Sequence, residues 1–199
     1  MTAEQPRAAA RPGLRAPVAP SDLGRFPDIG SVGLSADGAL VAAVVSTPDI
    51  EANRYQRVVL TGPADGSAVL RGLEPTTAAE MLPAWAPAGH DLATVRKDED
   101  GWSIWLRRLD DATAEPLVTG WPDPIEELSF SPSGDRLLFV AREPTDRIWW
   151  ELPEDRRPPL RITTLRHRED GVGWTVNRPR QGYVVHAGPG AKPRKISIG

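Results

Sequence analysis

Hydrophobic and polar positions alternate along this chain in short runs, and the runs recur. Leu34-Ser35-Ala36-Asp37-Gly38 leads into Val41-Ala42-Ala43-Val44-Val45. Trp85-Ala86-Pro87-Ala88-Gly89 leads into Leu92-Ala93-Thr94-Val95, and Phe130-Ser131-Pro132-Ser133-Gly134 into Leu137-Leu138-Phe139-Val140. Each copy reads as a hydrophobic strand, a tight turn ending in Gly, and a second hydrophobic strand. Gly accepts the positive φ that tight hairpins require. The turn glycines lie 51 and then 45 residues apart. A repeat of that length, built of short strands, marks a β-propeller blade. Closed propellers have about four to eight blades. The pattern therefore predicts an all-β fold: a partial β-propeller of about three four-stranded antiparallel blades, with part of the ring missing.

The first repeat opens near Asp28, where Val32 and Leu34 alternate with Ser31 and Gly33 as in a half-buried strand. Leu40–Ser46 is continuously apolar, which predicts a strand covered on both faces. Further strands are expected at Arg57–Thr61 and around Ala68–Leu70. The second repeat predicts strands near Leu82–Ala86, Asp91–Arg96, Ser103–Leu109 and Glu115–Val118. In the third, Ile125–Ser131 and Asp135–Ala141 come early, and Gly182–His186 and Arg194–Ile198 come late. The blades are expected at about 28–72, 80–120 and 124–199, with an insertion at 142–180 that is long for a propeller connection. Its first part is charged and Pro-rich around Trp149-Trp150, and Arg161–Thr175 reads as a hairpin with Asp170-Gly171 near its tip. Ser21-Asp22-Leu23 can cap a turn of helix. Residues 1–20, with three Arg among Ala and Pro, read as a disordered leader, leaving 21–199 as the propeller part. The chain stops where a fourth repeat would begin.

Composition narrows the function classes. A net charge of −3 and 40% hydrophobic residues fit a globular chain and argue against a nucleic-acid partner. No apolar run approaches the roughly 20 residues of a membrane helix, and the leader has no apolar core of the secretory type. No membrane partner and a cytoplasmic location are the default expectations. With no cysteine, thiol catalysis and thiolate metal sites are excluded. The 21 Pro and 18 Gly disfavour long helices.

Candidate chemistry is sparse. A nucleophile elbow needs G-x-S-x-G, which does not occur; Gly30-Ser31 and Gly66-Ser67 fall in a predicted strand and turn. The catalytic set is therefore expected to be empty. His90, His167 and His186 form no metal-binding pair, and no metal or other cofactor is expected. Asp98-Glu99-Asp100 and Asp110-Asp111 lie in predicted turns, where solvated Asp is common. Trp85 takes the repeat position of Leu34 and Phe130, so it reads as blade packing. The insertion is locally basic, with Arg156, Arg157, Arg161, Arg166, Arg168, Arg178 and Arg180 against only Glu169 and Asp170, which suits pairing with carboxylates on a partner domain.

Two stretches carry a specific resemblance. Val44-Val45-Ser46-Thr47-Pro48-Asp49, followed by Asn53-Arg54-Tyr55, resembles the first propeller blade of the prolyl oligopeptidase family of serine peptidases. Ile162-Thr163-Thr164-Leu165-Arg166-His167-Arg168-Glu169-Asp170-Gly171-Val172-Gly173-Trp174 is similar to an early-blade insertion in its acylaminoacyl-peptidase and dipeptidyl-aminopeptidase-like branch. The resemblance spans nearly all of 21–199. It implies an N-terminal propeller that admits short peptides to an α/β-hydrolase domain bearing a Ser-Asp-His triad. No such domain is encoded here, so the chain is expected to be non-catalytic alone. In dipeptidyl-peptidase relatives a helical Glu pair holds the substrate amine; Glu126-Glu127 instead opens a strand, so that role is not carried over.

The expected partners are the missing α/β-hydrolase domain or a separate hydrolase chain, with short peptides in the complete enzyme. Self-association through edge strands is a further expectation. The candidate interface comprises Trp149, Trp150, Arg166, His167, Arg168, Asp170 and Trp174. The alternative is a stand-alone, TolB-like propeller module that assembles with another chain.

Overall fold

The fold was read from a computed structural model, which describes residues 17–73, 79–163, 165, 167–169 and 172–197. It is a partial β-propeller of three four-stranded antiparallel blades. Blade 1 holds β1 (Asp28–Leu34), β2 (Leu40–Asp49), β3 (Arg54–Pro63) and β4 (Arg71–Gly72). Blade 2 holds β5 (Ala79–Trp85), β6 (Asp91–Asp98), β7 (Gly101–Arg108) and β8 (Thr113–Trp121). Blade 3 begins with β9 (Ile125–Phe130) and β10 (Arg136–Arg142). The chain then leaves through α1 (Arg147–Glu151), β11 (Arg168–Glu169) and β12 (Gly173–Trp174) before β13 (Arg180–His186) and β14 (Arg194–Lys195) complete the blade. A 3-10 turn at Pro20–Arg25 precedes blade 1, where the sequence predicted a capped helical turn. The fourth strand of blade 1 lies at Arg71–Gly72, just beyond the predicted Ala68–Leu70.

Strand alternation decides how the blades stack. On β6, Leu92 faces blade 1 and packs with Ala42, Val44, Val59 and Leu73. Ala93 and Val95 take the opposite face and pack, with Ile104 and Leu106, against Leu137, Phe139, Tyr183 and Val185 of blade 3. Phe139 stacks on Tyr183 at 5.1 Å, and Trp121 meets both rings edge-on. Each blade thus has a rear face, toward the preceding blade, and a front face, toward the next. The β2 run was expected to be covered on both faces. Its front face is packed on blade 2, whereas on its rear face Ala43 is buried but the larger Val41 and Val45 on either side of it are only half-buried.

A polar cluster interrupts the junction of blades 1 and 2. Glu80 is fully buried and pairs with Arg96 at 2.9 Å and with Arg107. Arg96 also lies over the Trp105 ring at 4.6 Å.

The repeated turns are built in two ways. Gly38, Gly89 and Gly134 all have φ near +70° (72°, 67° and 77°). In blade 1, Ser35 Oγ donates to Asp37 at 2.6 Å and accepts from the Leu40 amide at 2.9 Å. In blade 3, Ser131 Oγ donates to Asp135 at 2.9 Å and accepts from the Arg136 amide at 3.1 Å. Blade 2 has Ala86 at this position. Its turn instead presents His90, whose Nδ1 lies 2.8 Å from Asp110 and Nε2 3.0 Å from Asp37 of blade 1.

The first strand of every blade is a sheet edge, and each carries a bulge. The shifts fall between Ile29 and Val32, between Met81 and Ala84, and at Glu126 opposite the Val140–Ala141 step. Bulges twist an edge away from further pairing.

Candidate interface on the inserted segment

The insertion leaves β10 at Arg142 and returns to β13 at Arg180, so its base is a pair of adjacent strand ends. Both Arg side chains turn onto the start of β9. Arg142 is nearly buried; its Nε donates to Glu126 at 2.6 Å, Nη2 to Glu169 of β11 at 3.1 Å and Nη1 to the Arg178 carbonyl at 3.3 Å. Arg180 pairs with Glu126 at 3.0 Å and with Glu127, which favours its charged form. Glu126-Glu127 therefore anchors the insertion. Asp123, buried just before β9, holds Arg147 at 2.7 Å and Arg178 at 3.7 Å. Backbone bonds close the neck, from the Glu143 amide to Pro179 O and from the Thr145 amide to Asn177 O.

Above this base the insertion has little core of its own. Asp146 caps α1 by accepting from the Trp149 amide at 3.0 Å. Trp149 and Trp150 meet edge-on at 5.0 Å. The Arg157 guanidinium lies over both rings while donating to the carbonyls of Leu152 and Trp150, each at 2.9 Å. Arg178 covers Trp150 at 4.9 Å, and burial weakens its charged form. Trp149 Nε1 donates to Pro158 O at 2.9 Å. Trp149 and Trp174 line a cavity of about 260 Å³ with Glu154, Arg157, Pro158, Leu160 and Ile162.

β11 and β12 form the inserted hairpin, pairing Arg168 with Trp174 and Glu169 with Gly173. Arg168 lies over the Trp174 ring at 5.7 Å, and His167 sits 5.9 Å from the same ring. Five of the residues picked out from the sequence thus form two groups, Trp149 with Trp150 and His167 with Arg168 and Trp174. The 260 Å³ cavity links them through Trp149 and Trp174. Arg166 and Asp170 lie outside the described residues.

A second, polar cavity of about 610 Å³ lies beside the base, lined in part by Trp121, Asp123, Glu143, Arg147, Tyr183 and Lys195. Lys195 holds Glu143 below the usual carboxylate range. Burial, with Glu143 accepting its proton at 3.0 Å, pushes the Tyr183 hydroxyl up to about 12. Sequence reasoning missed Arg142 and Asp123, and it assigned Arg178 and Arg180 to a partner domain's carboxylates, whereas they pair with Asp123, Glu126 and Glu127 of this chain, up to 55 residues away. Of the other candidates, Ser31 lies on β1, and the Ser67 amide donates to Asp65 in a turn.

No helix among the described residues is long and apolar enough to cross a membrane. No family model and no curated protein matches the sequence. Solved structures do match. Pyrococcus horikoshii acylaminoacyl peptidase superposes with a TM-score of 0.65 at 18% identity, over 87% of this chain and 25% of that one. Apo AtxE2 isopeptidase gives 0.62 at 19% identity, over 91% and 32%. TolB from Acinetobacter baumannii gives 0.50 at 13% identity, over 86% and 32%. The chain spans about a quarter to a third of the length of these proteins, and what it shares with them is the β-propeller fold.

Proposed function

We infer that this chain is the N-terminal propeller part of a serine peptidase of the prolyl oligopeptidase family. In that role it gates and orients short peptides for an α/β-hydrolase domain and performs no hydrolysis itself. The observation that carries the reading is the inserted hairpin. The stretch from Ile162 to Trp174, which resembles this family's acylaminoacyl-peptidase branch, sits as an insertion in a propeller blade. The likeness of fold to an acylaminoacyl peptidase and an isopeptidase supports the same reading. Half-buried Trp149 and exposed Trp174 and Arg168 are the side chains assigned to the hydrolase side, because Trp and Arg anchor interfaces.

The test has two arms. The purified chain is assayed with an N-acetylated alanine anilide and a dipeptide anilide; no release is expected, and turnover would refute the non-catalytic role. An α/β-hydrolase domain of this family is then titrated in. Binding is expected to weaken at least tenfold for the Trp149→Ala/Trp174→Ala double variant. Equal binding by the variant counts against the assigned surface.

The fold shared with TolB favours a second reading, a stand-alone binding propeller. It leaves the hairpin without a role. Removing residues 161–175 would leave partner binding intact in that case and abolish it in the first.

A further inference from the structure

The cavity of about 610 Å³ beside the base of the insertion has no part in the interface assigned above. Its walls come from three places inside the chain: the link from β8 to β9, the neck and α1 of the insertion, and the outer strands of blade 3. Pockets that take small molecules run from about 300 to 1,000 Å³ and hold a few convergent polar groups. Charges of both signs converge here. Asp123, only 6% exposed, accepts from Arg147 at 2.7 Å. Glu143 Oε2 accepts from Lys195 at 2.7 Å and from the Tyr183 hydroxyl at 3.0 Å. The Arg147 guanidinium also feels the charges of Glu143 and of Glu151 on α1, so the two pairs share one field.

Neither pair is saturated. A Lys ammonium has three N–H donors, and that of Lys195 uses one on Glu143. Arg147 keeps Nε and Nη1, and Glu143 keeps Oε1, without a partner among the described residues. Glu151 makes no hydrogen bond or ion pair among those residues. The side chains of Arg147, Lys195 and Glu143 are 38–40% exposed, so their spare atoms can be reached. A simple anion here would meet three carboxylates, and a simple cation would meet Arg147 and Lys195. A zwitterion satisfies both sets. Trp121 and Pro193 give the cavity an apolar wall, which suits a nonpolar side chain.

We propose that this cavity binds a small zwitterion bearing an α-ammonium, a carboxylate and an aromatic side chain: a free aromatic amino acid or a dipeptide ending in one. The ligand's carboxylate takes the spare donors of Arg147 and Lys195. Its ammonium donates to Glu143 and Glu151, and its ring lies against Trp121. The proposal stands on the cavity and not on the peptidase reading, whose test scores hydrolase binding through Trp149 and Trp174, so either can fail without the other.

Isothermal titration calorimetry on the full chain tests it with phenylalanine and with alanyl-phenylalanine. At least one is expected to bind with a Kd below about 1 mM, and the tighter of the two identifies the source. No binding of either up to about 10 mM overturns the proposal. N-acetylation and C-amidation of the better ligand are each expected to weaken binding about tenfold, because each leaves charged groups of the site unmatched. A blocked form that binds as well as its parent overturns the proposal. In Lys195→Met the loss caused by C-amidation is expected to shrink while the loss caused by N-acetylation stays, a split that general damage to the fold would not produce. An unchanged C-amidation loss in this variant overturns the assigned carboxylate contact. The blocked ligands act on the unaltered chain, so they decide the matter where the variant does not fold.

Discussion

The junction of blades 2 and 3 and the inserted segment are held by opposite means. The junction is apolar, with Ile104, Leu106, Leu137, Phe139 and Val185 all at 1% exposure or less. The insertion rests on Arg142, Arg178, Arg180 and their carboxylates, with guanidinium groups laid over indoles. Apolar burial is non-directional and grows with area. Paired charges gain little net stability against an apolar alternative, but they fix one geometry and are costly to break singly. The blades are therefore the stable frame, and the insertion is a positioned, separately releasable part.

The largest effect should come from the frame. Phe139→Ala removes a ring that touches Trp121 and Tyr183 in a closed core. We expect a loss of about 3–5 kcal/mol in urea unfolding. Trp150→Ala in the insertion should leave the global midpoint nearly unchanged. Equal losses would break the comparison. Next in size is Glu80→Gln, which leaves Arg96 and Arg107 facing a neutral group in a fully buried site. The expected loss is about 3 kcal/mol, at the low end for a broken buried pair because both arginines keep other contacts. A neutral result would mean that the charge cluster contributes no stability to the junction.

The same contrast explains what was legible in the sequence. Strand alternation and the Gly-ended turns pointed to three blades, because both depend on neighbours within about ten residues. The equivalence of Leu34, Trp85 and Phe130 is visible in the repeat itself, and all three close the first strand of their blades. The β2 run shows the limit: an apolar strand says that a face wants cover, not that cover is present. In the insertion, Trp149, Trp150 and Trp174 could be picked out by residue type. The ladder of Arg142, Glu126 and Glu169 could not, since it joins three segments with no shared period. The link from His90 to Asp37 could not be read either, because the two lie 53 positions apart.

A smaller, local effect is expected at the neck of the insertion. Arg142→Met removes the donor shared by Glu126, Glu169 and Arg178 O. Amide exchange at Glu143 and Thr145 should quicken about tenfold while blade amides keep their protection. Uniform loss of protection would show that frame and insertion open as one unit.

The smallest effect is a pH dependence at the turn of blade 2. Hydrogen bonds to Asp110 and Asp37 raise the His90 pKa, since both ring nitrogens can donate only in the charged form. A group whose pKa is raised by folding contributes stability below its unfolded value of about 6.5 and loses it as pH rises through the folded value. Asp37 is held well below the carboxylate range, first by the Ser35 hydroxyl, so its contribution is present above an unfolded value near 3.8. The link between blades 1 and 2 is thus strongest from about pH 4 to 6.5 and fades toward alkaline pH. Wild-type Tm should fall slightly between about pH 6 and 9 through this link, and His90→Gln should remove that part of the slope. An unchanged slope in the variant would mean that this turn, unlike its Ser-locked counterparts in blades 1 and 3, adds nothing to the frame.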